Sequence, residues 1–406
     1  MTTPPFELMR YPWAKDFAVT FVDDTDLSTK ENTAPVYEYL NSLGFLGTKT
    51  VWPMRQRRSS SFRKSLETHV SDGDASGSTL EDPEYLAFIL NLKAKGYEIA
   101  LHGVAAGNCY RDEIILGINR FRELLGHDPA INVLHATNID NLYSGYDKLD
   151  IPILRLLERL VHNSEYQGHV EGSPHFWGDV LRQRIKYVRL PFHNIRFVNT
   201  LKLNPAMPFH DIRRPYVNYW FASSDGSDCR RFIALLSEKN IQHLRRDHGT
   251  CLIYSHFAKG FFSKSSDGGC LNPLFMRATD RLAQWSSGWF PTASTLLDRL
   301  LALRQVSITQ KDFDVLIVNK SDTDIPGLTL KARTGVTWKD DAGRRYDSGK
   351  CGLLVLDLLP AAQALRLHSS ERGDFTLTAT SSLPISRIER MKIELSNYYG
   401  LFRDYV

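Results

Sequence analysis

The stretch DFAVTFVDD, Asp16 to Asp24, is an apolar run that ends in two adjacent carboxylates. Its β-branched and aromatic residues predict a buried strand over Asp16–Val22. Neighbouring carboxylates at the end of a buried strand repel each other unless a cation or an arginine compensates them. The pattern therefore predicts a charged site at this strand end. The alternative is that Asp23, Asp24 or Asp26 only caps the following helix or closes a turn.

The same arrangement, a short apolar strand that leads to a polar side chain, recurs along the chain. EIAL precedes His102, INVL precedes His135, and TCLIYS precedes His256, while Arg189 lies in a further predicted strand and Asp225 lies shortly after another. Amphipathic helices separate these segments, as in α/β folds. Because (β/α) barrels carry their active sites at the carboxyl ends of their strands, polar residues at these ends favour a barrel over an open sheet. We expect an α/β fold, a distorted (β/α) barrel of about seven strands.

The pattern changes after about residue 305. Short apolar segments separated by turn-forming residues follow, and they predict a small C-terminal β-sandwich. The last residues have a helical pattern. We therefore expect a barrel domain over residues 1–305, a β-sandwich over residues 306–380 and a C-terminal helical tail over residues 381–406.

Composition and charge exclude several classes of protein. The chain has 406 residues, of which 42% are hydrophobic and 24% charged, as in soluble globular proteins. The net charge is only +4, and the densest basic run, from Arg55 to Lys64, lacks interleaved aromatic residues, so nucleic acid is not an expected partner. No apolar run approaches the roughly 20 residues that cross a bilayer, and the N-terminus lacks a signal-peptide pattern, so we expect a cytoplasmic protein without a membrane span. Five widely spaced cysteines indicate neither a disulfide framework nor a structural zinc site.

Five motifs in chain order resemble the NodB-type polysaccharide deacetylases, carbohydrate esterase family four. They are TFVDD at Thr20–Asp24, HGVAA at His102–Ala106, RLPF at Arg189–Phe192, Asp225, and LIYSH ending at His256. The resemblance covers roughly residues 16–300. The phrases EGSPHFWGD, RPYVNYWFASSDG and SHFAKGF are also similar to a divergent branch of that superfamily associated with surface-polysaccharide gene clusters.

The resemblance implies roles for the charged residues. Asp23 would be the catalytic base, kept ionised by Arg189 through a charge-assisted bond. Asp24 and His102 would be metal ligands. His256 would protonate the leaving group, and Asp225 would orient a catalytic histidine.

The sequence departs from the family pattern at the second metal histidine, which is replaced by Ala106. His135 is the expected substitute, because it ends the next strand and would reach the same end of the barrel. The alternative is that His135 supports another ligand or contacts the substrate. Valine at position 22 is an insertion in the first motif, and Phe192 replaces the tyrosine of the third.

Other polar and aromatic residues near the motifs are candidates for substrate binding. Asn138, Asn141 and Tyr143 follow His135 in a polar loop that could bind sugar hydroxyls. Trp220 could stack on a pyranose ring, although tryptophan more often packs in a core. A backbone N–H near Phe192 is a candidate oxyanion donor.

The function expected from these residues is removal of an acetyl or related acyl group from an amino sugar or glycan precursor. The cofactor would be a divalent metal ion. Zinc suits the oxygen and nitrogen ligands best, with manganese, cobalt and nickel as alternatives. Two other functions stay open: hydrolysis of another C–N bond on the same barrel, and a catalytically inactive barrel that has lost its metal and binds a glycan or a protein. The oligomeric state also stays open, a homo-oligomer included.

Overall fold

The computed structural model describes residues 6–57, 77–135, 138–162, 166–194, 198–265, 268–332, 334–349 and 351–378. The expected helical tail, residues 381–406, lies outside the described residues, as does most of the basic run after residue 57. Among the described residues, no helix combines the length and the apolar character needed to cross a membrane.

The first part of the chain alternates strands and helices. The strands are β1 (Phe6–Leu8), β2 (Phe17–Asp23), β3 (Thr48–Val51), β4 (Glu98–Leu101), β5 (Ile131–Asn132), β6 (Tyr187–Asn194), β7 (Tyr219–Gly226), β8 (Thr250–Ser255), β9 (Phe262–Ser265), β10 (Gly268–Leu271) and β11 (Gly288–Trp289). The helices are α1 (Lys30–Ser42), α2 (Pro83–Ala94), α3 (Arg111–Leu125), α4 (Pro152–His162), α5 (Gly178–Arg184), α6 (Thr200–Leu203), α7 (Cys229–Leu235), α8 (Glu238–Arg246), α9 (Pro273–Ala283) and α10 (Ala293–Leu303). A 3-10 turn, Gly145–Lys148, precedes α4.

Strands β2 to β8 form a closed parallel barrel in chain order, because β8 pairs with β2 as well as with β7. The short strand β11 adds in parallel to the edge of β2. This confirms the predicted α/β barrel of about seven strands. Strand β2 is buried along its whole length, as a strand covered on both faces requires. The closure brings the carboxyl ends of β2, β4 and β8 to one end of the barrel, and the site lies there.

The helices that cover the barrel show the expected apolar faces. In α3 the side chains of Ile114, Ile118, Phe121 and Leu125 are buried at helical spacing, and Gly126 ends the helix with a φ of 80°, a conformation that glycine adopts without strain. Helix α4 is different. Leu156 and Leu160 are exposed, while Glu158 is buried.

The second part is built from antiparallel strands: β12 (Val306–Asn319), β13 (Ile325–Ala332), β14 (Thr337–Asp340), β15 (Arg345–Asp347), β16 (Leu353–Leu359) and β17 (Ala364–Thr378). They form two sheets, ordered β1-β13-β16 and β12-β17-β14-β15. Apolar residues such as Val315, Leu328 and Leu354 share one core, as in a small β-sandwich. Strand β1 pairs with β13, so residues 6–8 lie in this sheet. The division at residues 305 and 380 stays a prediction.

Candidate metal and acid-base site

The two adjacent carboxylates after β2 have different partners. Asp23 is fully buried, and its Oδ2 accepts hydrogen bonds from Lys49 Nζ at 2.8 Å and from Tyr37 OH at 3.0 Å. Its Oδ1 accepts the backbone N–H of Phe257 at 2.7 Å. Burial lowers the pKa of Lys49, but the charge and hydrogen bond of Asp23, together with Tyr85 and Asp24, outweigh burial and raise that pKa, so the amine stays charged. Both oxygens of Asp23 are therefore held in the barrel wall.

Asp24 forms the ion pair that was expected for Asp23. Arg189 donates from Nη1 to Oδ1 at 2.8 Å and from Nη2 to Oδ2 at 2.6 Å, and both side chains are only 3% exposed. Burial raises the pKa of Asp24, but the charge of Arg189, aided by His102, outweighs it and holds the pKa below its usual range. The expected pairing of Arg189 with Asp23 is therefore wrong. Successive side chains along an extended backbone point to opposite sides, so Asp23 and Asp24 cannot both face the arginine.

Asp26 is the centre of a cluster of three histidines. Its Oδ2 lies 3.0 Å from His102 Nε2 and 3.2 Å from His256 Nε2, and its Oδ1 lies 2.9 Å from His135 Nε2. Burial raises the pKa of Asp26, but His102 and His135 together hold it well below its usual value. From the sequence, Asp26 is expected only to cap a helix or close a turn. Its spacing of two from Asp24 was the available signal, since residues two apart share a side of an extended segment.

His102 follows β4 and is almost fully buried. Its ring stacks on Trp52 at a centroid distance of 6.0 Å, and Trp52 donates its indole N–H to the His102 carbonyl at 2.9 Å. Its Nε2 lies 3.8 Å from Asp24 Oδ2 as well as 3.0 Å from Asp26 Oδ2, so the ring is close to both carboxylates. Its Nδ1 is buried and has no hydrogen-bond partner among the residues that the structure describes.

His135 stands beside His102, with ring centroids 5.2 Å apart. Its Nδ1 contacts Asn138 Oδ1 at 3.0 Å, and Asn138 donates in turn to the Gly107 carbonyl at 2.8 Å. Asn141 donates to the His135 carbonyl. Asn138 and Asn141 are buried, so they hold the histidine loop and are not exposed to bind sugar hydroxyls as expected.

Protonation of His135 is favoured by its neighbours. Burial lowers its pKa, but the charge and hydrogen bond of Asp26, together with Asn138 and Asp24, outweigh burial and raise the pKa to about 9. The ring must lose this proton before its Nε2 can serve as a metal ligand.

His256 follows β8, and its Nδ1 lies 2.8 Å from the Ser227 carbonyl. A carbonyl can only accept, so this contact puts a proton on Nδ1. Asp225 was expected to orient a catalytic histidine. It instead accepts the Ser227 backbone N–H at 2.9 Å and pairs with Arg231 at 3.1 Å. Its influence on His256 is therefore indirect, through the position of Ser227.

Trp220 and Tyr143, two further expected substrate residues, are buried among other side chains. Trp220 is buried in the core with its ring centroid 6.4 Å from that of Tyr143, so the expected stacking surface for a sugar is instead core. Tyr143 is also buried, and its ring packs on His169 at 4.3 Å. The backbone of Phe192 belongs to β6, and its side chain lies outside the described residues.

The donor atoms of this cluster fit a divalent cation. Two groups have ligand atoms within 4.8 Å of one another: Asp26 with His102 and His135, and Asp24 with Asp26 and His256. Imidazole nitrogens and carboxylate oxygens are ligands for zinc and related ions. Three histidine rings converge on the single carboxylate of Asp26. That carboxylate does not need three imidazole nitrogens as hydrogen-bond partners, so some of these nitrogens can serve as metal ligands. The residues present therefore fit the cofactor that the motifs imply.

Comparison with solved structures finds polysaccharide deacetylases and an acetyl xylan esterase among the similar proteins. The chain is similar to a protein of Mycobacterium smegmatis assigned as a polysaccharide deacetylase, with a TM-score of 0.39 and 10% identity over 72% of this chain and 92% of that one. It is similar to a protein of Pseudomonas aeruginosa assigned in the same way, with a TM-score of 0.38 and 10% identity over 71% and 92%. A third is a family 4 acetyl xylan esterase from Clostridium thermocellum in complex with a cobalt ion, with a TM-score of 0.33 and 13% identity over 69% and 90%.

Comparison of the sequence with protein-family models and with curated proteins gives no match. TM-scores below 0.5 carry no conclusion about this chain's activity. The contacts between Asp24, Asp26, Arg189 and the three histidines are the observations from which a function can be inferred.

Proposed function

We propose that this chain is a metal-dependent hydrolase that removes an acetyl or related acyl group from an amino sugar or glycan precursor. The observation that carries the proposal is the pair of adjoining carboxylate sites at one end of the barrel. Asp24 is kept ionised by the Arg189 fork, and Asp26 lies within 3.2 Å of three imidazole nitrogens. A base beside a cation site is the pair of functions that hydrolysis of an unactivated acyl bond needs.

Asp26, His102 and His135 would hold the cation, with zinc favoured and manganese, cobalt and nickel as alternatives. When bound, the cation would polarise the acyl carbonyl and lower the pKa of a bound water. Relative to the roles expected from the motifs, the metal carboxylate moves from Asp24 to Asp26. His135 takes the role that Ala106 cannot fill.

Asp24 is the proposed general base. Its carboxylate is ionised across the neutral pH range because Arg189 lowers its pKa, so it is ready to take a proton from the attacking water. Arg189 also bonds to both oxygens of Asp24 through its rigid guanidinium group. The carboxylate is therefore held in one orientation, and so are its remaining lone pairs. The role of base therefore moves from Asp23 to Asp24.

His256 is the proposed general acid. Its Nδ1 proton is held by the Ser227 carbonyl, so Nε2 is the nitrogen that faces Asp26 and the reacting atoms. A protonated Nε2 would donate its proton to the departing amine or alcohol as the acyl bond breaks. The ligand atoms of the acid and the base lie within 4.8 Å of each other and of Asp26. A backbone N–H near Phe192 stays a prediction as oxyanion donor.

The test separates the base from the ligand. Acetate release from N-acetylated amino-sugar oligomers is measured on protein stripped with a chelator and reloaded with zinc. Asp24→Asn should keep its zinc and lose activity by about 100- to 10,000-fold, the usual contribution of a general base. Asp26→Asn should lose the zinc itself, as measured by elemental analysis. Asp228→Asn, which changes an exposed helix cap, is the matched control and should keep both.

Two results would contradict the proposal. A zinc-loaded wild type that releases no acetate from any N- or O-acetylated glycan would contradict the deacetylase activity. Full activity in Asp24→Asn would contradict the assignment of the base. Binding of a glycan without zinc and without turnover would instead support the inactive binding barrel.

A further inference from the structure

A fully buried ion pair lies in the barrel wall behind the proposed site. Lys49 Nζ and Asp23 Oδ2 are 2.8 Å apart, and both side chains are 0% exposed. Such a pair adds little stability, because removing two charges from water offsets most of their attraction, and apolar residues of similar volume often serve as well. Stability alone is therefore a weak reason for a lysine and an aspartate at these two positions.

The aspartate holds the segment that carries the proposed acid. Asp23 Oδ1 accepts the backbone N–H of Phe257 at 2.7 Å, and Phe257 directly follows His256. Tyr37 OH donates to the other oxygen at 3.0 Å, which leaves the carboxylate without freedom to rotate. The position of the chain at His256 is thus set by a charged acceptor on the neighbouring strand.

The lysine holds the segment that carries the proposed metal carboxylate. Lys49 Nζ donates to Ser28 Oγ at 2.9 Å. The Ser28 backbone N–H donates to the Thr25 carbonyl at 2.9 Å, and this closes the turn that contains Asp26. A single ammonium group therefore contacts both the Asp23 carboxylate and the turn around Asp26.

We propose that Lys49 and Asp23 are positioning residues, which fix His256 and Asp26 relative to each other across the seam between β2 and β8. The kinetic part of this inference rests on the proposed hydrolase function. Hydrogen bonds from one buried charge pair fix the positions of two separate segments, whereas an apolar pair makes no directional bonds. Asp23 acts through the Phe257 N–H, and Lys49 acts through Ser28. Neither touches the substrate.

Two double variants separate positioning from stability. Asp23→Asn with Lys49→Met removes both charges but keeps a side-chain oxygen for the Phe257 N–H. Asp23→Val with Lys49→Met removes that acceptor as well. Lys30→Met, at an exposed pair with Glu84, is the matched control for loss of a lysine and should match the wild type.

The expected results differ for the two arms. At saturating zinc, the Asn/Met protein should keep kcat within about 3-fold of wild type, and the Val/Met protein should lose about 10- to 100-fold in kcat with KM unchanged, since a displaced acid lowers the rate of the chemical step. Both doubles should bind zinc about 10-fold more weakly, because both lack the amine that holds Ser28. Thermal unfolding measured in parallel reports stability separately.

Equal kcat in the two folded doubles would overturn the positioning role of Asp23, and unchanged zinc affinity in both would overturn that of Lys49. Zinc competition with a chromophoric chelator and the NMR amide shift of Phe257 need no turnover. They decide the inference even if the wild type hydrolyses none of the acetylated glycans, a result that counts only against the proposed function. If the Val/Met protein does not fold, the Asn/Met protein is compared with wild type instead. The inference then requires that its zinc affinity is lower and that the amide chemical shift of its Phe257 is unchanged.

Discussion

Replacement of Arg189 with methionine removes the fork that holds Asp24 and leaves a buried carboxylate without its counter-charge. Both side chains are 3% exposed and share two short hydrogen bonds. Removal of one partner from such a buried pair costs about 3–5 kcal/mol of folding free energy. The guanidinium also lies 4.5 Å from the centre of the Tyr254 ring, so its loss removes a cation–π contact as well.

The loss should depend on pH, and the sign follows from the pKa of Asp24. With Arg189 present, that pKa lies below its usual value, so the ion pair contributes stability above the usual carboxyl range and loses it only in acid. Without Arg189, only the weaker effects of His102 and His256 oppose burial, so we expect burial to raise the pKa of Asp24. The variant then gains stability as the pH falls and Asp24 becomes neutral. The difference in unfolding free energy between wild type and variant should therefore narrow towards acid pH.

Urea unfolding and acetate release, each measured between about pH 5 and pH 9, check both consequences. In the variant, activity should rise with pH within this range, because Asp24, the proposed base, is protonated at the lower pH values. The wild type should show no such rise. Arg120→Met is the matched control: its 2.8 Å contact with Glu123 joins side chains that are 43% and 68% exposed, and exposed pairs contribute less than about 1 kcal/mol.

A variant whose stability loss is the same at every pH would refute this account of Asp24. So would an unchanged pH profile of activity in folded Arg189→Met. Either result would mean that the arginine does not control the protonation of this carboxylate.

Other substitutions test single contacts. Asp140→Asn should stabilise the protein at neutral pH, because burial raises the pKa of Asp140 to about 6 and a raised carboxyl pKa withdraws stability as the pH rises through it. From about two pKa units the gain is about 3 kcal/mol, and urea unfolding should show a smaller gain at acid pH; a gain that does not vary with pH would count against a titrating Asp140. His135→Ala should abolish zinc retention, whereas Asn138→Ala should weaken it by about 10- to 100-fold; elemental analysis after dialysis measures both, and zinc retained without activity would assign His135 a substrate role. Leu156→Glu together with Leu160→Glu should change the unfolding free energy by less than about 0.5 kcal/mol, because both side chains are exposed. A larger loss would mean that another part of the protein covers this face of α4.

The barrel could be predicted because its signals are local. Each strand is a short apolar run, and His102, His135 and His256 each follow one. Parallel strands of one barrel share the direction of their carboxyl ends, so the three histidines were expected to meet, and all three lie beside one carboxylate.

The identity of that carboxylate could not be read from the motif alone. The family pattern assigns roles to the adjacent pair Asp23 and Asp24, but adjacent side chains on an extended backbone diverge. Asp24 and Asp26 therefore occupy the positions next to Arg189 and the histidines. The partners of Asp23 were equally hidden, since Lys49 and Phe257 are brought to it only by strand pairing. The pairing of β1 with β13 is a similar case, because no local pattern reports which distant strand a three-residue strand will join.

The seam where β8 closes onto β2 has a consequence for how the protein folds. The hydrogen bond between the Phe257 N–H and Asp23 joins residues 234 positions apart in the chain, and contacts of such separation form late because the intervening chain must first be ordered. Asp24 and His256 lie on the two sides of this seam. During refolding, the proposed hydrolase activity should therefore return after most helical structure has formed, and its recovery would time the last step of barrel closure.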